Sequence, residues 1–307
     1  MDNTQTEKLT GAANAARVRD YFAAMRPRQW AKNLLVLAPL VFSQRLFARE
    51  PAAAALTAFA LFCLASSAGY LFNDIGDLRR DREHPRKRLR PVASGRVGVR
   101  GAAALAALLF VASLAGAFAT LGARFALALA AYCALSLSYT LLLKRVVIVD
   151  VFAVAAGFVL RAAAGALAVG VESSGWLLIC TTLLALLVGF GKRRSELLLL
   201  KGGAGGHRRV LEDYDERLLD MLIGTSAASA VMSYALYTES AETVGRLGTR
   251  WLFATFPFVV YGLFRYLFLL YTAGRGGDPV ETALADRPML LNALLWAATV
   301  VAVLYFR

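Results

Sequence analysis

Nine apolar runs punctuate the chain, near 31–48, 52–73, 101–121, 124–143, 147–169, 175–196, 217–238, 250–272 and 288–306. About 20 apolar residues carry an α-helix across the hydrocarbon core of a bilayer. In that core every backbone polar group must be satisfied internally, so helices or closed barrels are the only spanning structures. The runs therefore predict an all-α membrane protein of nine transmembrane helices. With 58% hydrophobic residues and a mean hydropathy of +0.56, the chain is too apolar for ordinary soluble domains. Connections near Gly122 to Arg124 and at Lys144–Arg145 are so short that they predict helical hairpins. Residues 1–25 are polar and lack the early apolar core of a signal peptide. They read as a cytoplasmic tail before a single integral-membrane domain over 26–307.

Lys and Arg set the orientation. With the N-terminus cytoplasmic, 26 of them fall on that side and six on the other, with Arg161 and Arg265 left inside spans. Positive charge collects on the cytoplasmic side of membrane proteins, so the N-terminus and the polar connections 74–100, 197–216 and 273–287 are expected there. The formal net charge of +13 suits anionic lipids and phosphorylated substrates, and no nucleic acid partner is expected. Cys63, Cys133 and Cys180 are widely spaced within apolar runs and form no disulfide or metal-ligand pattern.

The strongest chemical signal is "NDIGDLRRDREHPRKRLRP" at the end of the second run. On a helix, Asp74, Asp77 and Asp81 share one face, with Asn73 adjacent. Carboxylates and an amide oxygen are hard ligands suited to Mg²⁺ bridging to substrate phosphates. A solvated helix end paired to Arg79, Arg80 and Arg82 is the plain alternative, but charge at membrane depth is costly without a purpose. Beyond the acids, Arg86, Lys87, Arg88 and Arg90 offer guanidinium and ammonium donors to phosphate oxygens, although a basic membrane-surface patch has the same composition.

Other charges repeat this theme at helix ends. Lys32 stands at the start of the first run, just after Arg26 and Arg28, and Lys144 punctuates the fourth and fifth. Asp150 and Arg161 share a face of the fifth helix, with Arg161 roughly 16 Å deeper, which implies a polar interior cavity. Lys192 and Glu196 share a face at the end of the sixth run, with Arg193 beside Lys192 and Tyr214 further on. His84 and His207 have no histidine or cysteine neighbours that would make a zinc site. The tyrosines read as packing or interfacial residues.

"NDIGDLRRD" resembles the N-D-x-x-D-x-x-x-D motif of the UbiA-type intramembrane prenyltransferases. The likeness is closest to the branch of decaprenyl-phosphate phosphoribosyltransferases, through "RPRQWAKN", "DREHPRKRLRP", "GKRRSEL", "LEDY" and "ALADR". Aromatic prenyltransferases carry a second acidic motif where this chain has Lys192, Arg193 and Arg194. The resemblance implies nine helices around a central polar cavity open to the cytoplasm, in a bacterial plasma membrane. It implies Mg²⁺-dependent transfer of 5-phosphoribosyl from 5-phosphoribosyl 1-diphosphate to a long-chain polyprenyl phosphate, serving cell-wall arabinan synthesis. Asn73, Asp74, Asp77 and Asp81 are then the metal residues, and the three aspartates the catalytic ones. Lys32, Arg86, Lys87, Arg88, Lys144, Arg161, Lys192, Arg193, Glu196 and Tyr214 are the expected substrate-binding residues. Prenyl transfer from a prenyl diphosphate to an aromatic acceptor is the nearest alternative, and a lipid or anion transporter the next.

Overall fold

The computed structural model describes residues 17–83, 87–201, 211, 213–272 and 285–306, and among them there is no strand. A helix over 17–24 (α1) leads into a 3₁₀ helix, Pro27–Leu37, and the short α2, Ala38–Phe42. Then follow α3 (Arg49–Gly76), α4 (Leu78–Glu83), α5 (Val99–Leu141), α6 (Val149–Val169), α7 (Gly175–Lys201), α8 (Glu216–Glu239), α9 (Ala241–Leu247), α10 (Phe256–Thr272) and α11 (Arg287–Tyr305). Seven helices among the described residues are long and apolar enough to cross a membrane. Large apolar side chains such as Phe118, Leu127 and Leu294 remain on the outer surface, as a lipid-facing surface requires. The protein is a multi-pass membrane protein.

α5 explains part of the difference between seven helices and nine runs. Its 43 residues would extend about 65 Å if straight, twice the hydrocarbon thickness. Gly122 breaks it, with φ 80° and ψ 177°, a conformation that an L side chain rarely adopts. Both halves pack on α3 in opposite directions. A Cβ on Gly116 of the first half would sit 2.9 Å from Leu61, whereas Phe125 of the second half meets the Phe62 ring and Thr140 reaches Asn73. The chain therefore reverses at Gly122, as the short connection predicts.

The first run departs from a membrane-length α-helix. Pro27 opens a 3₁₀ segment and Pro39 opens α2, so the run 31–48 is a composite. With a rise near 2.0 Å per residue, 11 residues of 3₁₀ helix still cover about 22 Å. This segment lies tight against α6: a Cβ at Gly165 would be 2.1 Å from the Val36 carbonyl oxygen. The segment 17–24, read from sequence as part of a polar tail, is helical with Ala24 buried. Tyr21 covers Gly101, and Asp20 accepts a hydrogen bond from Arg96 at 2.7 Å.

Two large apolar clusters hold the bundle. One joins α6, α7, α8 and α10 around Phe190, Leu187, Leu219 and Ile223; the other joins the 3₁₀ segment, α3, α5 and α6 around Phe62, Phe125 and Leu129. α6 contributes to both, which places its polar residues in the interior of the bundle.

Candidate active site

α3 ends at Gly76 with Asp77 as its cap, and α4 resumes at Leu78. The amide of Asp77 bonds the Asn73 carbonyl and that of Asp81 bonds the Asp77 carbonyl, so the helical path, and with it the common face, continues through the junction. Asp74 and Asp81 are buried at 2% and 3% exposure. Buried charge of this kind persists only with partners, and cations from distant segments supply them. Arg26 pairs with Asp74 Oδ1, and Arg90 Nη1 lies 3.2 Å from Asp74 Oδ1 and 2.6 Å from Asp81 Oδ2. Lys144 Nζ donates to Asp77 Oδ1 at 2.8 Å. Arg26 adopts a left-handed backbone conformation, φ 56°, where the chain turns from α1 into the 3₁₀ segment. Burial lowers its guanidinium pKa, and the Asp74 charge opposes that shift.

Lys144 owes its position to a 3₁₀ turn, Leu143–Arg145, between α5 and α6. The connection enters α6 through its N-cap Ile148, whose φ of 66° is unusual for a β-branched residue. Tyr214 stabilises this conformation: its oxygen accepts from the Ile148 amide at 2.7 Å while its hydroxyl donates to Asp150 Oδ1 at 2.8 Å. Burial and the hydrogen bond to Asp150 push the Tyr214 phenol up, so it remains a donor at neutral pH. Asp150, fully buried, lies with Oδ2 2.8 Å from Arg193 Nε. Arg193 donates from its other nitrogens to Glu196 and, at 3.4 Å, to Tyr139. A relay thus runs from Tyr214 through Asp150 and Arg193 to Glu196.

Two adjoining cavities collect these groups. The first, about 220 Å³, is lined by Asn73 and Asp77 with Arg26, Lys87, Arg90, Thr140, Lys192 and Glu196. The second, about 210 Å³, has Lys32, Arg161 and Arg193 on a mostly aliphatic wall from α6 and α7. Tyr70, Tyr132, Ser136, Tyr139 and Lys192 line both. Cations and acids of the 3₁₀ segment and the turn before it, the end of α3, the basic run, α6 and α7 therefore line two spaces that share a wall.

The acidic face fits a hard cation in part. Asp74 Oδ2 is buried without a hydrogen-bond partner among the described residues, and Asn73 and Asp77 line the cavity. Among the described residues, however, no three acids converge closely enough to enclose an ion. Asp74 and Asp81 both lie off the cavity lining; of the two, Asp74 keeps the unpartnered oxygen, while Asp81 holds Arg90. The chain can therefore give a few oxygen donors to an octahedral ion that takes its remaining ligands from phosphate and water, the usual arrangement for Mg²⁺.

The other residues expected from sequence divide unevenly. Lys32, Lys87, Lys144, Lys192 and Glu196 are at or beside the cavities, as is Arg161. Arg88 is exposed and lines neither cavity, and Arg86 lies outside the described residues. Tyr214 stands behind Asp150, and the guanidinium of Arg193 is taken up by Asp150, Glu196 and Tyr139. Asp150 pairs with Arg193 and not with Arg161, its neighbour on the same face of α6. Sequence reasoning missed Asn33 and Tyr132, both bound to Arg161, and left Arg26, Tyr70 and Tyr139 without a site role; Arg90, read as a phosphate donor, lines the first cavity. The spacing of Tyr132, Ser136 and Tyr139, which repeats one helical face, was the available signal.

Comparison with known proteins fits this architecture. Residues 35–192 match the model of the UbiA prenyltransferase family. The chain is 37% identical over 286 residues to a decaprenyl-phosphate phosphoribosyltransferase of Corynebacterium glutamicum, covering 92% of this chain and 86% of the relative. It is 38% identical over 294 residues to that of Mycolicibacterium smegmatis, covering 92% of each. In fold it resembles a UbiA homolog from Archaeoglobus fulgidus solved with GPP and Mg²⁺, with a TM-score of 0.67, 20% identity, and coverage of 93% of this chain and 99% of that one. With relatives this similar along nearly its whole length, the chain belongs to the UbiA prenyltransferase family, in the branch of the decaprenyl-phosphate phosphoribosyltransferases.

Proposed function

We propose that the protein transfers 5-phosphoribosyl from 5-phosphoribosyl 1-diphosphate to a long-chain polyprenyl phosphate, releasing diphosphate. One observation supports this reading above others: the cavity lined by Asn73 and Asp77 also carries Lys192, Arg26, Lys87 and Arg90. A wall with several cations suits two anionic substrates better than one diphosphate and a neutral arene.

Asn73, Asp74 and Asp77 would hold Mg²⁺, which neutralises charge on the departing diphosphate. Arg26 and Arg90 steady those acids and face phosphate oxygens in the same cavity. Asp81 acts through Arg90, as a positioning residue. Lys192, in the wall common to both cavities, draws the two substrates together and offsets their mutual repulsion. Glu196, fixed by Arg193 and thereby by Asp150 and Tyr214, accepts a ribose hydroxyl. A phosphate oxygen of the lipid forms the bond to C1 as the C1–O bond to diphosphate breaks, and the electron pair leaves with the diphosphate. The nucleophile is already ionised, so no side chain has to remove a proton. Charge developing at C1 lies among preorganised dipoles and ions in a site shielded from bulk water.

The 3₁₀ and α2 run, α3, the two halves of α5, α6, α7, α8, α10 and α11 would make nine crossings. In this arrangement the N-terminus and the cavity mouth face the cytoplasm of a bacterial plasma membrane.

Purified protein in lipid, supplied with Mg²⁺, 5-phosphoribosyl 1-diphosphate and decaprenyl phosphate, should yield decaprenyl-phosphate ribose 5-phosphate by mass spectrometry, and EDTA should abolish it. Absence of that product from folded protein would overturn the proposal.

A further inference from the structure

Arg194 follows Lys192 and Arg193 in the basic run of α7, yet it lines neither cavity. Its side chain turns instead toward α8 and α10. Arg194 Nε donates to Asp220 Oδ1 at 2.6 Å, Nη2 lies 3.5 Å from Glu216 Oε1, and the guanidinium carbon sits 4.2 Å from the centre of the Tyr271 ring. The Tyr271 hydroxyl closes the group by donating to the same Asp220 oxygen at 2.8 Å. Arg194, 9% exposed, thus joins three helices through one guanidinium.

The same end of α7 is held on a second face. Arg193 meets Asp150 of α6, and four residues earlier a side chain at Gly189 would run into Val151 of α6. Gly191 and Arg194, three apart, mark the other face, where a side chain at Gly191 would run into Tyr266 and Leu270 of α10. One attachment leaves a helix able to turn about its own axis, and two on different faces prevent it. A turn of about 20° moves a group at the roughly 6 Å outer radius of a helix by about 2 Å. Lys192, which lines both cavities, lies between these two attachments.

We propose that Asp220 and Tyr271, acting through Arg194, fix the rotation of α7 and thereby aim Lys192 at the substrate phosphates. They are positioning residues for the transfer, and this role rests on the one given above to Lys192. A misplacement near 1 Å of a group that orients a substrate is enough to cost about 100-fold in rate. The clamp adds little to stability by comparison. The Asp220 side chain is 39% exposed, and ion pairs with an exposed partner contribute little to folding. Aim and stability therefore separate in experiment.

A double-mutant cycle in the full chain reconstituted in lipid tests the clamp. Asp220→Ala should lower kcat/KM for 5-phosphoribosyl 1-diphosphate tenfold or more, with Tm within about 3 °C of wild type. Asp220→Asn keeps an oxygen where Oδ1 stands and should recover to within threefold of wild type. In a Lys192→Ala background, Asp220→Ala should cost less than twofold, because the group that it aims is gone. An unchanged rate in Asp220→Ala, or the same tenfold loss in both backgrounds, would overturn the proposal. Inorganic diphosphate with Mg²⁺, read as a rise in Tm, gives a second readout that needs no turnover. The wild-type shift should fall by half or more in Asp220→Ala and in Lys192→Ala, and no further in the double variant than in Lys192→Ala. Should the wild type bind diphosphate but transfer no phosphoribosyl group, or Lys192→Ala be too slow for kinetics, these shifts decide the clamp. No shift in the wild type would leave Lys192 without a phosphate to meet and would overturn the proposal. Should Asp220→Ala fail to fold, Tyr271→Phe, which removes the hydroxyl alone, takes its place in both comparisons with a threefold loss expected.

Discussion

Asp150 Oδ2 lies 2.8 Å from Arg193 Nε, joining the first turn of α6 to the C-terminal half of α7 through two nearly inaccessible side chains. Tyr214 and Glu196 extend the pair at either end. Removing one partner of a buried ion pair leaves the other uncompensated, at a cost of about 3–5 kcal/mol. Asp150→Ala should therefore lower the Tm sharply and reduce turnover. Tyr214→Phe removes one hydrogen bond to Asp150 and one acceptor for Ile148, and should cost about 1–2 kcal/mol. Thermal unfolding in detergent, alongside the rate at saturating substrates, checks both. Equal effects of the two variants would mean that the relay is not ordered as described.

The acids should separate by role. Asp74→Asn and Asp77→Asn alter the groups that face the cavity or carry an unpartnered oxygen, and each should lower kcat at least 100-fold, as loss of several kcal/mol of charge stabilisation requires. Asp81→Asn should have a smaller effect, because Arg90 keeps its contact with Asp74. Rates measured across a Mg²⁺ titration give the comparison. A shift in the Mg²⁺ requirement is expected for Asp74 and Asp77 and none for Asp81.

Within the basic run, Arg90 and Arg88 should behave differently. Arg90 bridges Asp74 and Asp81 and lines the first cavity, whereas Arg88 is exposed and lines neither cavity. Arg90→Ala should cost two orders of magnitude or more in kcat/KM, and Arg88→Ala should remain within about threefold of wild type, as for surface substitutions generally. Parallel kinetics on the two purified variants are the test.

Gly165 tests the packing of the first run. A side chain there would meet the Val36 carbonyl oxygen at 2.1 Å, a backbone atom that cannot rotate away. Gly165→Ala should destabilise by about 1–3 kcal/mol, the usual range for overpacking. Because Asn33 lies on the same 3₁₀ segment and binds Arg161, which lines the second cavity, turnover should fall as well. Tm and the rate at saturating substrates in the same preparation check this.

Local patterns in the sequence carry the helices and the acidic face. The run 147–169 becomes Val149–Val169, and 217–238 becomes Glu216–Glu239, since uninterrupted hydropathy is a property of each segment alone. The common face of Asp74, Asp77 and Asp81 likewise follows from their spacing. Partner choice does not. That Asp150 meets Arg193 and leaves Arg161 to Asn33 and Tyr132 depends on how α6 sits between two clusters, which no local pattern encodes. The 3₁₀ course of Pro27–Leu37 is similarly illegible, because hydropathy gives the length of an apolar run and not its helical pitch. The helix over 17–24 was missed because its polar composition matches a tail, while its stability comes from contacts of Tyr21 and Ala24 with distant residues.

The central claim concerns which pair of substrates the cavity brings together, and a competition experiment tests it most directly. The wild-type protein in lipid with Mg²⁺ would receive 5-phosphoribosyl 1-diphosphate, a polyprenyl phosphate, a prenyl diphosphate and an aromatic acid in one mixture, with products followed by mass spectrometry. The account predicts a polyprenyl-phosphate ribose 5-phosphate as the product, with the aromatic acid unchanged. A prenylated arene without any ribosylated lipid would contradict it, and would mean that Lys192 and Arg193 serve a prenyl diphosphate after all.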